Sequence, residues 1–204
     1  MARMHSYAIV PAAGASARMG AHKLLLPLGD QTVIDRVLAS WRRSAVTRVV
    51  VVVRGEDALL VERCIAAGVD VVTAETTPRD MKASVQLALR HVATRYSPKP
   101  NDAWLLAPAD LPRLSAAVID AVLGAYDSDR PSAVAPAFGG KRGHPLLMPW
   151  ALAERVDALT DDVGINALLQ GTYVREVAWG DDSILRDVDT PGDFARLLES
   201  ISCS

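Results

Sequence analysis

The amino-acid sequence predicts an α/β fold: a doubly wound, mostly parallel sheet of Rossmann-like build, with a small antiparallel addition in the last third. Three observations predict it. Between residues 6 and 126 short apolar runs alternate with amphipathic stretches in repeated β-α order, the arrangement of a parallel sheet with right-handed crossovers. Arg48 to Arg54 encloses five consecutive valines, which suits a parallel strand covered on both faces. The chain has 204 residues, half of them apolar, the size and composition of one domain spanning 1–204 with a sizeable core.

The elements follow in order. Residues 6–13 read as the first strand. Residues 31–45 read as a helix, with Val33, Ile34, Val37, Leu38 and Trp41 on one face. The valine run, 48–54, is the second strand. A helix over 57–67 stops at Gly68, a third strand covers 69–73 and a third helix 81–95. The segment 96–101, which holds Pro98 and Pro100, is a surface connection. Residues 104–107 form the fourth strand and 116–126 the fourth helix. The last third is less regular, with strands at 133–137 and 145–148 around a glycine-rich loop. Two short helices follow near 150–159 and 164–170, then strands at 173–179 and 184–188. The final helix is well punctuated: Thr190 at the N-cap, Pro191 in the first helical position and Asp193 completing a capping box. Phe194, Leu197, Leu198 and Ile201 form its apolar stripe.

Bulk properties exclude several classes. The 22 Lys and Arg residues against 24 Asp and Glu give a formal net charge of −2, so no general attraction to nucleic acid or to an anionic membrane is expected. No stretch approaches the ~20 apolar residues needed to cross a bilayer, and no secretory leader is visible. The two cysteines, Cys64 and Cys203, form neither a disulfide framework nor a CxxC pair. A cytoplasmic, reducing location is the expectation.

Chemistry concentrates where strands end. After the first strand comes Ala12-Ala13-Gly14-Ala15-Ser16-Ala17-Arg18-Met19-Gly20, and then Lys23. Small residues let backbone N–H groups come close to an anion, and Arg18 and Lys23 would neutralise its charge, which is the chemistry of a polyphosphate site. The loop is neither GxxxxGK[ST], since Gly14 and Gly20 are six apart, nor GxGxxG, since residue 16 is Ser. Asp110 ends the apolar run 104–107 through Pro108-Ala109. A divalent cation is one partner for it, a cluster of backbone N–H groups another; the plain alternative is a turn aspartate before Pro112. In Asp187-Val188-Asp189-Thr190-Pro191, strand alternation would place Asp187 and Asp189 on one side. Mg²⁺ takes few carboxylates together with phosphate oxygens and water, a need that Asp110 and Asp189 would meet unless Asp189 merely caps local backbone. Ser84 lies in the first turn of the third helix, where a hydroxyl and free N–H groups can read a base or a ribose edge, or simply begin a helix. Gly139-Gly140-Lys141-Arg142-Gly143-His144-Pro145 is a cationic loop suited to an anionic second substrate, although His144 could be only a structural hydrogen-bonder. The remaining histidines show no zinc-ligand spacing.

The first loop, with Lys23-Leu24-Leu25-Leu26-Pro27-Leu28 behind it, resembles the signature of the nucleotidyltransferases related to the molybdenum cofactor cytidylyl- and guanylyltransferases. The Pro-Ala-Asp, Asp-x-Asp-Thr-Pro, Met81–Leu89 and Gly-His-Pro segments extend the resemblance over nearly the whole chain. It implies a nucleotidyltransferase fold and transfer of a nucleoside monophosphate to a phosphorylated acceptor with release of pyrophosphate. It further implies Arg18, Lys23 and Asp110 as catalytic residues, with Asp110 and Asp189 holding Mg²⁺. Nucleotide contacts would come from Ala12, Ala13, Gly14, Ser16, Gly20 and Ser84, and acceptor contacts from Arg142, Gly143 and His144. The apolar run after Lys23 and the Gly-His-Pro segment favour CTP over GTP and molybdopterin as the acceptor, with a molybdoenzyme or maturation protein as a partner. One departure stands out: Asp80 precedes Met81 where related sequences often carry glycine. The rival readings are a same-fold enzyme acting on a sugar or polyol phosphate, and a non-catalytic nucleotide-binding protein.

Overall fold

A computed structural model of the chain describes residues 4–14, 22–160 and 163–202. Its strands are β1 (Ser6–Pro11), β2 (Pro27–Leu28), β3 (Gln31–Thr32), β4 (Arg48–Arg54), β5 (Asp70–Ala74), β6 (Ala103–Leu106), β7 (Ala133–Phe138), β8 (Lys141–Arg142), β9 (Leu146–Pro149) and β10 (Val174–Ala178). The helices are α1 (Val33–Arg43), α2 (Ala58–Ala66), α3 (Met81–Tyr96), α4 (Ala116–Ala125), α5 (Ala153–Asp157) and α6 (Pro191–Ser202). Every element expected in the first 126 residues is present, its ends displaced by no more than two positions.

The main sheet runs β5-β4-β1-β6-β9-β7-β10, with β8 paired to β7. Strands β1, β4, β5 and β6 are mutually parallel, as are β7 and β10. The antiparallel members are β8 and β9, the addition expected in the last third. Side-chain alternation divides the valine strand: Val49, Val51 and Val53 face α1, α2 and α4, while Val50 and Val52 face α3. In the same way Ala8 and Val10 of β1 join the first layer and Tyr7 and Ile9 the second. Both faces are therefore covered, and the functional groups are left to the strand ends.

The chain winds outward through β1, β4 and β5 and then returns to the other side of β1 as β6. The order thus reverses between β1 and β6, and at such a switch point two loops diverge to leave a crevice at the carboxyl ends of the strands. Backbone bonds hold the two sides of this crevice in register: Ala12 N–H donates to Val52 O at 2.8 Å and Ala109 N–H to Pro11 O at 3.1 Å.

Three expectations are corrected. The helix expected from residue 31 begins at Val33, because residues 27–32 form the β2–β3 hairpin turning at Gly29, whose φ is +69°; Thr32 and Asp35 then make a capping box. The strand expected at 184–188 does not form. Asp181 accepts a bond from Ser183 N–H and starts a 3-10 turn over Asp182–Leu185, a local side-chain bond that outcompetes a ladder. The two short helices are a 3-10 turn (Trp150–Leu152) running into α5 and a second 3-10 turn (Ile165–Leu169). A small cluster of Leu28, Val188 and Leu197 pins α6 and the chain before it to the hairpin. Among the described residues, no helix is long and apolar enough to cross a membrane.

Candidate active site

At the switch point lies a cavity of about 440 Å³. Its lining includes Ala12, Ala13 and Gly14 after β1, Lys23, Ser84 on α3, and Asp110 after β6. Among the described residues, nothing lies within 4 Å of a Cβ added to Gly14. A second hollow of about 460 Å³ lies at the opposite, amino-terminal edge of the strands. Its Arg42, Arg48 and Arg95 share it with the ends of α1, α2 and α3. Helix C-termini carry partial negative charge, which offsets those arginines. The first cavity carries charges of both signs, Lys23 and Arg79 with Asp80 and Asp110.

Lys23 opens a 3-10 turn anchored by buried Leu24. Its Nζ donates to Asp110 Oδ2 at 2.6 Å and to Asp189 Oδ1 at 2.8 Å, joining residues 87 and 166 positions away. The three side chains are 14, 17 and 29 % exposed. Burial works against the ammonium, but the charge and hydrogen bond of Asp110, reinforced by Asp189, outweigh it and raise the Lys23 pKa above the usual lysine value. Asp189 belongs to irregular chain, not to a strand, and is placed by the turn before α6. There Asp193 accepts from Asp189 N–H and Thr190 N–H, while Val188 N–H donates to Asp110 O at 2.9 Å. Asp187 stands nearby: burial first, then the charges of Asp110 and Asp189, push its carboxyl pKa up.

Asp110 Oδ1 is buried, and among the described residues nothing donates to it. A hard oxygen left bare beside a second carboxylate fits a divalent cation that completes its shell with water and phosphate oxygens. Among the described residues, no group of three or more His, Cys, Asp or Glu is arranged to hold a metal ion.

The structure gathers Ala12, Ala13, Gly14, Lys23, Ser84 and Asp110 around the cavity, with Asp189 joined through Lys23. Ser16, Arg18 and Gly20 lie outside the described residues. Arg142, Gly143 and His144 do not line the cavity. Arg142 pairs with Glu176 of β10 at 2.7 Å. Gly143 is demanded by packing, since a Cβ there would fall 2.4 Å from Ile184 O. His144 comes nearest the site: its Nδ1 donates to Leu106 O at 3.1 Å, and burial lowers its pKa despite the opposing charges of Asp110 and Asp187.

Sequence reasoning missed Thr77, Pro78 and Arg79, which line the cavity ahead of Asp80 and Met81. Their signal was position, since this loop leaves the carboxyl end of β5. Asp80, the departure noted above, is the N-cap of α3 and accepts from Ala83 N–H at 2.7 Å, so the first turn that carries Ser84 is already capped.

Known proteins resemble this chain over most of its length. A family model described as the MobA-like NTP transferase domain matches residues 8–177. The molybdenum cofactor cytidylyltransferase of Escherichia coli is 26% identical over 193 residues, 94% of each chain. A crystal structure of a Mycobacterium species homologue of the Mycobacterium tuberculosis protein Rv0371c superposes with a TM-score of 0.81 at 26% identity, covering 97% of both chains. Rv0371c itself, solved in complex with manganese, gives 0.76 at 25% identity, covering 97% of this chain and all of its own.

Proposed function

The chain belongs to the MobA-like NTP transferase family, and on that premise we propose that it is a cytidylyltransferase that moves CMP from CTP to the terminal phosphate of molybdopterin or its molybdenum-loaded form. The observation that carries this reading is the Lys23–Asp110–Asp189 triad at the switch point, beside a small-residue backbone. The cytidylyl choice rests on the sequence features noted above and on the Escherichia coli relative.

The chemistry follows from the charges. A phosphate oxygen of the acceptor attacks the α-phosphorus of the triphosphate, and the bond to the β-phosphate breaks to release pyrophosphate. A phosphate nucleophile is already ionised at neutral pH, so no general base is required; the work is alignment and charge stabilisation. Backbone N–H groups of the loop beginning at Ala12, together with Arg18 and Lys23, hold the β- and γ-phosphates. Ser84 contacts the nucleoside. The loop of Arg142, Gly143 and His144 faces the acceptor, His144 presenting a neutral imidazole. Asp110 and Asp189 would hold Mg²⁺, which when bound would supply charge neutralisation at the phosphates. Support for the metal comes from the bare Asp110 oxygen and from the manganese complex of the mycobacterial relative. The whole of 1–204 acts as one domain in the cytoplasm and hands its product to a molybdoenzyme or its maturation partner.

A panel of CTP, GTP, ATP and UTP, each with Mg²⁺ and with molybdopterin or methylerythritol phosphate, tests this by pyrophosphate release. CTP with molybdopterin should be preferred. Preference for GTP, or for the polyol phosphate, would reassign the substrate, and nucleotide binding without pyrophosphate would refute catalysis.

A further inference from the structure

We infer that Asp57 is a positioning residue, which fixes the approach of Lys23 to the phosphates by holding His22; this rests on the role proposed for Lys23. Asp57 occupies the N-cap position of α2, where an aspartate ordinarily accepts a bond from the first turn. It makes no such bond. Both of its oxygens are turned elsewhere: Oδ1 accepts from Arg54 Nη2 at 2.9 Å, and Oδ2 accepts from Arg54 Nε at 2.8 Å and lies 3.1 Å from His22 Nε2. The two-pronged grip of Arg54 fixes the plane of the carboxylate, and Arg54 is itself the last residue of β4, so the frame of reference is the sheet.

The other end of this chain of contacts is Lys23. His22 immediately precedes it, and His22 O accepts from Leu25 N–H at 2.9 Å, closing the turn that Lys23 opens. His22 Nδ1 is buried with no partner among the described residues, and Nε2–H donates to Asp57. Burial works against the Asp57 charge, but the bonds from Arg54 and His22 outweigh it and hold its carboxyl below the usual value. Neither His22 nor Asp57 lines the cavity, so neither is placed to touch the nucleotide. A lysine stem is flexible, and where its Nζ can reach depends on how firmly its backbone is held. Displacement by 1 Å can cost 10²-fold in rate. An aspartate that gives up its cap to clamp the residue before that lysine does what such precision requires.

The test uses the full chain with Asp57→Ala, Asp57→Asn, His22→Ala, His22→Gln and the His22→Ala, Asp57→Ala double variant. Two readouts are taken at 25 °C: steady-state pyrophosphate release and calorimetric titration with inorganic pyrophosphate. Asp57→Ala and His22→Ala should each lower kcat/KM for the triphosphate and weaken pyrophosphate binding by roughly tenfold, leaving KM for the acceptor within about twofold. The double variant should be no worse than the poorer single one, because both break the same contact. His22→Gln, which keeps an amide donor, should recover most of the loss. Unchanged pyrophosphate affinity in Asp57→Ala overturns the inference, as do effects that multiply in the double variant or a His22→Gln as poor as His22→Ala. Should the wild-type protein bind pyrophosphate yet transfer no nucleotide, the transfer reading fails while the titrations still decide the role of Asp57.

Discussion

Replacing Lys23 with methionine keeps the length of the side chain and removes a positive charge that bridges Asp110 and Asp189. The ammonium is 2.6 Å from one carboxylate and 2.8 Å from the other, and Asp187 already feels both. An exposed ion pair contributes ~0–1 kcal/mol and a broken buried one costs ~3–5. With side chains 14–29 % exposed, the loss falls between these, at roughly 1–3 kcal/mol. For a chain of this length each kcal/mol shifts Tm by about 2–4 °C, so Lys23→Met should melt about 2–12 °C lower at pH 7. The three carboxylates then repel one another, so Mg²⁺ or Mn²⁺ should raise the Tm of the variant more than that of the wild type, the ammonium no longer competing. Turnover should fall by ~10²–10³, as for loss of one preorganised charge contact. Differential scanning calorimetry with and without metal reads the first two effects, and pyrophosphate release the third. A variant that melts with the wild type and ignores divalent metal would show that the lysine and the carboxylates do not share one site.

Other outcomes follow from packing and titration. Gly143→Ala must push Ile184 aside, since the new Cβ would lie 2.4 Å from its carbonyl oxygen; urea denaturation should show a loss of about 1–3 kcal/mol. His144 is half-buried, and desolvation lowers its pKa from 6.5. The unfolded chain therefore takes up a proton before the folded one does, and stability intact above pH 6.5 is lost as pH falls towards the depressed value. Wild type should lose up to about 1.4 kcal/mol per pH unit more than His144→Asn in that window, and parallel stability curves would contradict it. The Cys64 thiol is buried and its pKa is pushed up to about 12. Iodoacetamide at pH 8 should leave it unmodified in the native protein and alkylate it fully in denaturant, as peptide mass spectrometry would read.

What the sequence made legible was what local pattern controls. Five valines between two arginines can hardly be anything but a covered strand, and Thr190 and Asp193 do form the reciprocal cap of α6. The hairpin at 27–32 escaped notice because two-residue strands carry no periodicity; its Gly29-Asp30 turn was the only cue. Residues 184–188 read as a strand, yet the Asp181 bond to Ser183 N–H decides the local path. The site was legible where its residues follow strand ends, as Gly14 and Asp110 do. The salt bridge from Lys23 to Asp189 and the clamp from Asp57 to His22 span 166 and 35 positions, distances over which no local pattern signals a contact. The pairing of Arg142 with Glu176 was hidden for the same reason: β8 and β10 both pair with β7, which brings Glu176 to its guanidinium.

The most direct test follows the α-phosphate itself. CTP labelled at that position is incubated with Mg²⁺, molybdopterin and the protein, and label and pyrophosphate are counted together. Label should appear in the acceptor in one-to-one ratio with released pyrophosphate, and Asp110→Asn should stop both. Label that stays in CTP, or leaves it as CDP or free CMP with no acceptor product, would contradict nucleotidyl transfer at this site.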